Sequence, residues 1–296
     1  MPQSDYITQF CDYLASEKRF SIHTVTNYHR DLTDFRDFMA TTYNLPPENA
    51  RAPLIRSWLA SLKEREMEAT SINRKISALK SFYKFLLKRQ LILKNPSAGI
   101  VSLKQKKRLP SFVEETQIMP VLDRSHFPDG IEGSTRFLAI TLLYITGVRV
   151  SELTGIKEQD IDYASAIIRI IGKGNKQRNV PLTPQTILQI RNYIAEKRKE
   201  FENQTAFLLV NKKGNALTRG MVYNIVKQEL SKVTTLKKKS PHVLRHSFAT
   251  HLSNHGAGIN EIKELLGHAS LASTQVYTHT AIARLKEIYQ KAHPKG

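Results

Sequence analysis

His242 and Arg245 stand three residues apart, so on a helix an imidazole and a guanidinium share one face and could together hold a phosphate. His246 follows His242 by four and His255 follows His251 by four, a spacing at which two imidazoles can chelate zinc. The His-Glu-x-x-His pattern is absent, no cysteine is near, and Glu261 and Glu264 fall on a separate predicted helix, so hydrogen-bonded or exposed histidines are expected instead. Asp160-x-Asp162 could bind Mg²⁺ in a nuclease, yet directly after Lys157-Glu158-Gln159 it reads more simply as a polar turn before a strand. Arg149 lies between two valines, with Glu152 three residues on as an ion-pair partner. Lys173 sits in the turn chemistry of Gly172-Lys173-Gly174-Asn175, and Lys176 is a rival ammonium. No Gly-x-x-x-x-Gly-Lys-Ser/Thr run occurs, so nothing points to nucleotide hydrolysis.

Helical and strand periodicity predicts the frame around these residues. Helices are expected over Ser4 to Lys18, through Ile7, Phe10, Cys11 and Leu14, and after a Ser21 cap, through Val25, Tyr28, Leu32, Phe35 and Met39. A third starts near Pro53 and points Ile55, Trp58, Leu59 and Leu62 inward. A fourth, Ser71 to Gln90, buries Ile72, Ile76, Leu79, Phe82, Tyr83, Leu86 and Leu87, while Arg74, Lys75, Lys80, Lys84, Lys88 and Arg89 occupy other positions as a solvated face or as phosphate contacts. Together they make a helical bundle over residues 1–98. Residues 99–111, with Lys104, Lys106, Lys107 and Arg108, read as an exposed basic linker.

From residue 112 to 296 the pattern is mixed. A short helix is expected over Glu114 to Leu122 and a strongly apolar one over Arg136 to Ile145, ending at Thr146-Gly147. The run Ile167 to Ile171 and a return over Gln177 to Leu182 form a hairpin, and Phe207 to Val210 is a short strand candidate. Further helices are expected over residues 184–201, 219–233, 242–254, 259–266, 270–277 and 282–290. The fold class is thus mainly α with a small antiparallel β-sheet.

Charge bounds the partner. The 296 residues carry 45 Lys and Arg against 26 Asp and Glu, a net +19 divided almost evenly, +9 up to Pro110 and +10 after it. A polyanion gripped by both halves fits, with nucleic acid ahead of an anionic membrane. No stretch approaches the roughly 18 apolar residues of a membrane-spanning helix, and the start lacks the order of a signal peptide, so a cytoplasmic, nucleoid-associated protein is expected. The single cysteine, Cys11, lies on an apolar stripe and reads as core.

Five segments in order resemble the active-site boxes of the tyrosine recombinases: Thr146 to Leu153, Gly172 to Arg178, His242 to His251, Leu266-Gly267-His268 and Tyr277-Thr278-His279. The front end is similar to that family's core-binding domain, and the ending from Arg284 to His293-Pro294 to its Xer subgroup. The resemblance implies a C-shaped two-domain clamp on double-stranded DNA and strand exchange through a 3′-phosphotyrosyl link to Tyr277, with neither ATP nor metal and no cofactor. It further implies that Arg149 and Arg245 bind the non-bridging phosphate oxygens, Lys173 is the general acid, His242 the base and His268 a phosphate donor. Glu152 becomes an orienting partner for an arginine. A homo- or heterotetramer on two DNA sites is implied, in the chromosome-dimer-resolving subgroup with a septal DNA translocase as a conceivable activator. Competing readings are a mobile-element integrase, a type IB topoisomerase, a noncatalytic DNA-binding protein and a metal nuclease.

Overall fold

The computed structural model describes residues 5–104, 111–172, 175–202 and 205–267. Lys173, His268 and Tyr277, and the helices expected over 270–277 and 282–290, lie outside them. The chain divides into two units, Met1–Arg108 and Leu109–Gly296.

The first unit is built from α1 (Tyr6–Ser16), α2 (Ile22–Tyr43), α3 (Ala52–Glu64) and α4 (Ala69–Lys88). Asp5 and Ser21 cap the first two by accepting from Ile7 N and Thr24 N, and Pro53 sits in the first turn of α3. Phe10, Phe35, Trp58 and Phe82 fill the centre, with Phe35 and Trp58 ring centroids 4.9 Å apart. Two expectations for α4 fail. Leu87 is 40% exposed, whereas Lys75 is buried. Lys75 Nζ pairs with Asp34 and Asp31 and lies 5.6 Å from the Trp58 ring centre, and Arg74 pairs with buried Asp31. These two cations tie α4 to α2 and are committed inside the unit. A lysine whose ammonium meets carboxylates and an aromatic face is buried at far lower penalty than an unpaired one.

The second unit opens with α5 (Glu115–Ile118), continued by a 3₁₀ turn Met119–Leu122, and centres on α6 (Ile131–Thr146). Nearly every residue of α6 is buried, as expected of a helix apolar on all sides. It begins five residues before the predicted start because its first turn packs by a glycine: a Cβ on Gly133 would sit 1.8 Å from Pro128 O. A short α7 (Val150–Leu153) follows. Strands β1 (Ile161–Asp162), β2 (Ile167–Ile171) and β3 (Gln177–Pro181) form an antiparallel sheet in that order, with Ile168 opposite Val180 and Ile170 opposite Arg178. Then come α8 (Pro184–Glu200), α9 (Arg219–Val233), α10 (Pro241–Asn254) and α11 (Ile259–Leu266). Thr183 and Thr218 cap α8 and α9.

The strand expected over Phe207 to Val210 reduces to single bridges, Lys157 with Phe207 and Val210 with Ala216. Lys197 explains part of this: its fully buried ammonium donates to Phe207 O at 2.6 Å, Thr205 O at 3.0 Å and Glu158 Oε1 at 2.7 Å. Those carbonyls are satisfied without a sheet neighbour. Among the described residues no helix is long and apolar enough to cross a membrane.

Candidate active site

Two helices end in glycines that no other residue replaces easily, and the site is assembled on those ends. Gly147 closes α6 at φ 58° and Gly267 closes α11 at φ 63°. A Cβ on Gly147 would lie 2.6 Å from Phe248 Cδ1 and 2.7 Å from Leu266 Cδ2; one on Gly267 would lie 3.1 Å from Arg178 Nη1. Backbone conformation and lack of space both select glycine there.

Arg149 is the residue from which α7 starts, in extended conformation. Glu152, one turn on, reaches back with Oε2 to accept Arg149 N at 2.9 Å, while its Oε1 accepts Arg149 Nη1 at 2.8 Å. This loop-back fixes the arginine side chain relative to its own backbone. Arg149 Nη2 donates a long hydrogen bond to Gly267 O, 3.5 Å away. Arg245, on α10, donates Nη1 to Gly147 O and Nη2 to Leu266 O at 2.6 Å, and so spans the ends of α6 and α11. A third guanidinium, Arg178 on β3, donates Nε to Leu265 O at 2.9 Å. Three successive carbonyls of one helix end, Leu265, Leu266 and Gly267, therefore each face a different arginine. The negative end of a helix suits such a cluster.

One carboxylate serves this cluster. Glu152, almost wholly buried, accepts Arg178 Nη1 at 3.2 Å and Nη2 at 2.7 Å in addition to its two bonds from Arg149. Burial pushes its carboxyl up, but the bonds from Arg178 and Arg149 prevail and hold it below the usual range. Arg245 is pushed down to about 10, first by burial and then by Arg149 and Arg178, with Glu152 opposing. It stays a cation at neutral pH. Arg149 and Arg245 form a partly exposed pair of like charges without full compensation, a geometry that a phosphate would relieve.

The other candidates divide. His242 is exposed in the first turn of α10, one turn before Arg245. Gly172 N donates to Lys176 O at 2.8 Å across the β2–β3 connection, and a Cβ on Gly172 would lie 3.4 Å from Glu152 Oε1, so the chain enters the Lys173 segment beside Glu152. Gly267 directly precedes His268 in sequence. His251 is a core residue whose Nδ1 meets Tyr144 OH at 2.8 Å, and His255 Nδ1 lies 2.7 Å from His251 O. Asp160 Oδ2 accepts Lys157 N, and Asp162 Oδ1 accepts Ala164 N and Ser165 N, the polar turn expected. Among the described residues no group of three His, Cys, Asp or Glu could hold a metal ion. Sequence reasoning assigned nothing to Arg178. Its signal was strand parity: it shares a face with Val180, an inward position that a charge occupies only when paired.

Residues 112–284 match the model of the phage integrase family, and residues 7–90 that of the phage integrase N-terminal SAM-like domain. The chain is 40% identical over 293 residues to tyrosine recombinase XerC of Listeria innocua, covering 97% of each. It is 37% identical over 298 residues to tyrosine recombinase XerC of Halalkalibacterium halodurans, covering 98% of each. Among solved structures, XerH site-specific recombinase bound to a palindromic difH substrate, a post-cleavage complex, superposes with a TM-score of 0.73 at 23% identity, covering 95% of this chain and 83% of that one.

Proposed function

The chain belongs to the phage integrase family of tyrosine recombinases, and on that premise we propose that it exchanges strands of duplex DNA at a specific site with Tyr277 as nucleophile. A phenol with an ordinary pKa near about 10 is mostly protonated at neutral pH, so its attack needs a base and a site that stabilises developing charge. His242 takes the phenolic proton. The new bond joins Tyr277 Oη to phosphorus, the bond to the 5′-oxygen breaks, and Lys173 gives that oxygen a proton. The product is a 3′-phosphotyrosyl link and a free 5′-hydroxyl. Attack by a 5′-hydroxyl of the partner strand reverses the step and releases Tyr277, so bond energy is retained without ATP.

Arg149 and Arg245 follow the charge that grows on the non-bridging oxygens, and His268 adds a donor to one of them. The observation that carries this reading is the convergence of those two guanidinium groups on one helix end, with Glu152, which Arg149 shares with Arg178, behind the first of them. The partner is double-stranded DNA, approached by two units that both carry excess positive charge. Four subunits, of one kind or two, act on two sites. The resemblance of the whole chain to XerC proteins supports resolution of chromosome dimers before segregation.

A plasmid carrying two copies of a replication-terminus segment of the host chromosome tests this. Recombination yields resolved circles, with a partner recombinase added in one arm. Relaxation of supercoiled plasmid lacking any such segment, with no resolved circles in either arm, would favour a type IB topoisomerase instead.

A further inference from the structure

We propose that Arg178 is a positioning residue whose double fork on Glu152 keeps that carboxylate from capturing Arg149, leaving the outer edge of Arg149 for the DNA phosphate. This rests on the function proposed above and adds a residue to it. Glu152 accepts four hydrogen bonds, two from Arg178 and two from Arg149, which fills the acceptor capacity of a carboxylate. Arg178 takes both oxygens in a fork, whereas Arg149 uses only Nη1 of its guanidinium on Glu152. Among the described residues the remaining Nη2 of Arg149 has no closer acceptor than Gly267 O, at 3.5 Å.

Removing Arg178 would leave a buried carboxylate with Arg149 as its one remaining ion-pair partner among the described residues. Burial makes such a carboxylate seek a second hydrogen bond from that guanidinium, beside the one it already accepts from the backbone N–H of Arg149. A guanidinium forked by Glu152 through Nη1 and Nη2 is neutralised along that edge and turned away from an incoming phosphate. Arg178 also places its own strand: Nε bonds Leu265 O, one residue before the carbonyl that holds Arg245 Nη2. The same side chain thereby ties β3 to the helix end where Arg149 and Arg245 meet.

The test uses the full chain and the nicked duplex on which the wild-type protein forms its covalent adduct, comparing wild type, Arg178→Gln, Glu152→Gln and the double variant. Single-turnover adduct formation at saturating DNA, DNA affinity and thermal melting are measured for each. Arg178→Gln is expected to slow adduct formation by about 10- to 100-fold, as loss of a supporting partner does, with DNA affinity changed little. Glu152→Gln added to Arg178→Gln should restore about tenfold of that rate, because the neutral amide no longer captures Arg149. A double variant as slow as Arg178→Gln, or slower, overturns the proposal and makes Arg178 a packing residue. If Arg178→Gln melts below the assay temperature, Arg178→Lys replaces it in both variants. A lysine supplies one ammonium in place of the fork, so slowing with rescue is again expected, and an unchanged rate overturns the proposal. Absence of an adduct from the wild-type chain on every duplex tried would count against the proposed function itself.

Discussion

At the scale of single residues the active site is a question of shape as well as charge. A lysine in place of Arg245 keeps the positive charge but lacks the planar fork whose two arms reach Gly147 O and Leu266 O, and presents no planar edge to phosphate. Arg245→Lys is therefore expected to slow adduct formation by about 10²–10³-fold while DNA binding is retained, measured by single-turnover cleavage beside a binding titration. Unaltered cleavage would show that charge alone suffices. Arg149, Arg245 and His242 could be singled out as candidates from the sequence because each lies in a short segment of recognisable residue order. Arg178 lies in such a segment too, yet its role depends on partners 26 and 87 residues away in sequence, which no local pattern reveals. Lys75 was misread for the same reason: on a helical wheel it is one more basic residue, and only the position of Asp31 and Asp34 on α2 makes it internal.

At the scale of elements, most helix boundaries were legible to within two residues, and the start of α6 was not. Gly147 and Gly267 mark left-handed ends that any sequence shows as glycine after an apolar run, and Ser21, Thr183 and Thr218 mark capped starts. The start of α6 escaped because Gly133 and Ser134 weaken the apolar period, although Gly133 packs closely against Pro128. The segment Phe207 to Val210 has the composition of a strand, but a lysine from α8 takes the carbonyls of Thr205 and Phe207. Lys197→Met should accordingly leave those carbonyls and Glu158 without their buried cation. The expected loss is about 3–5 kcal/mol of stability, read as a lowered denaturation midpoint with an unchanged denaturant slope. A loss below about 0.5 kcal/mol, within the range of an ordinary surface substitution, would mean that water replaces the ammonium freely.

At the scale of the whole molecule, composition already named the kind of partner. A net +19 shared by both parts of the chain predicts affinity that falls steeply with ionic strength. With several phosphate contacts, binding to duplex DNA should weaken by about 10³-fold or more between roughly 50 and 200 mM salt. A flat titration would show that the basic residues outside the arginine cluster are occupied within the protein, as Arg74 and Lys75 are. Which base sequence is cut was not legible, because base readout rests on a few side chains at groove edges, whereas charge reports only on the phosphate backbone. The central claim is that Tyr277 becomes joined to DNA in a pocket built by Arg149 and Arg245. The direct measurement incubates wild type and Tyr277→Phe, in EDTA, with nicked duplexes from the host's replication-terminus region, with and without a partner recombinase. Adducts are separated on denaturing gels, and the DNA-linked peptide is identified by mass spectrometry. A covalent band is expected for wild type alone, with the phosphodiester on the peptide containing Tyr277. A band of equal intensity from Tyr277→Phe, or linkage to Tyr223 or Tyr289, would contradict it.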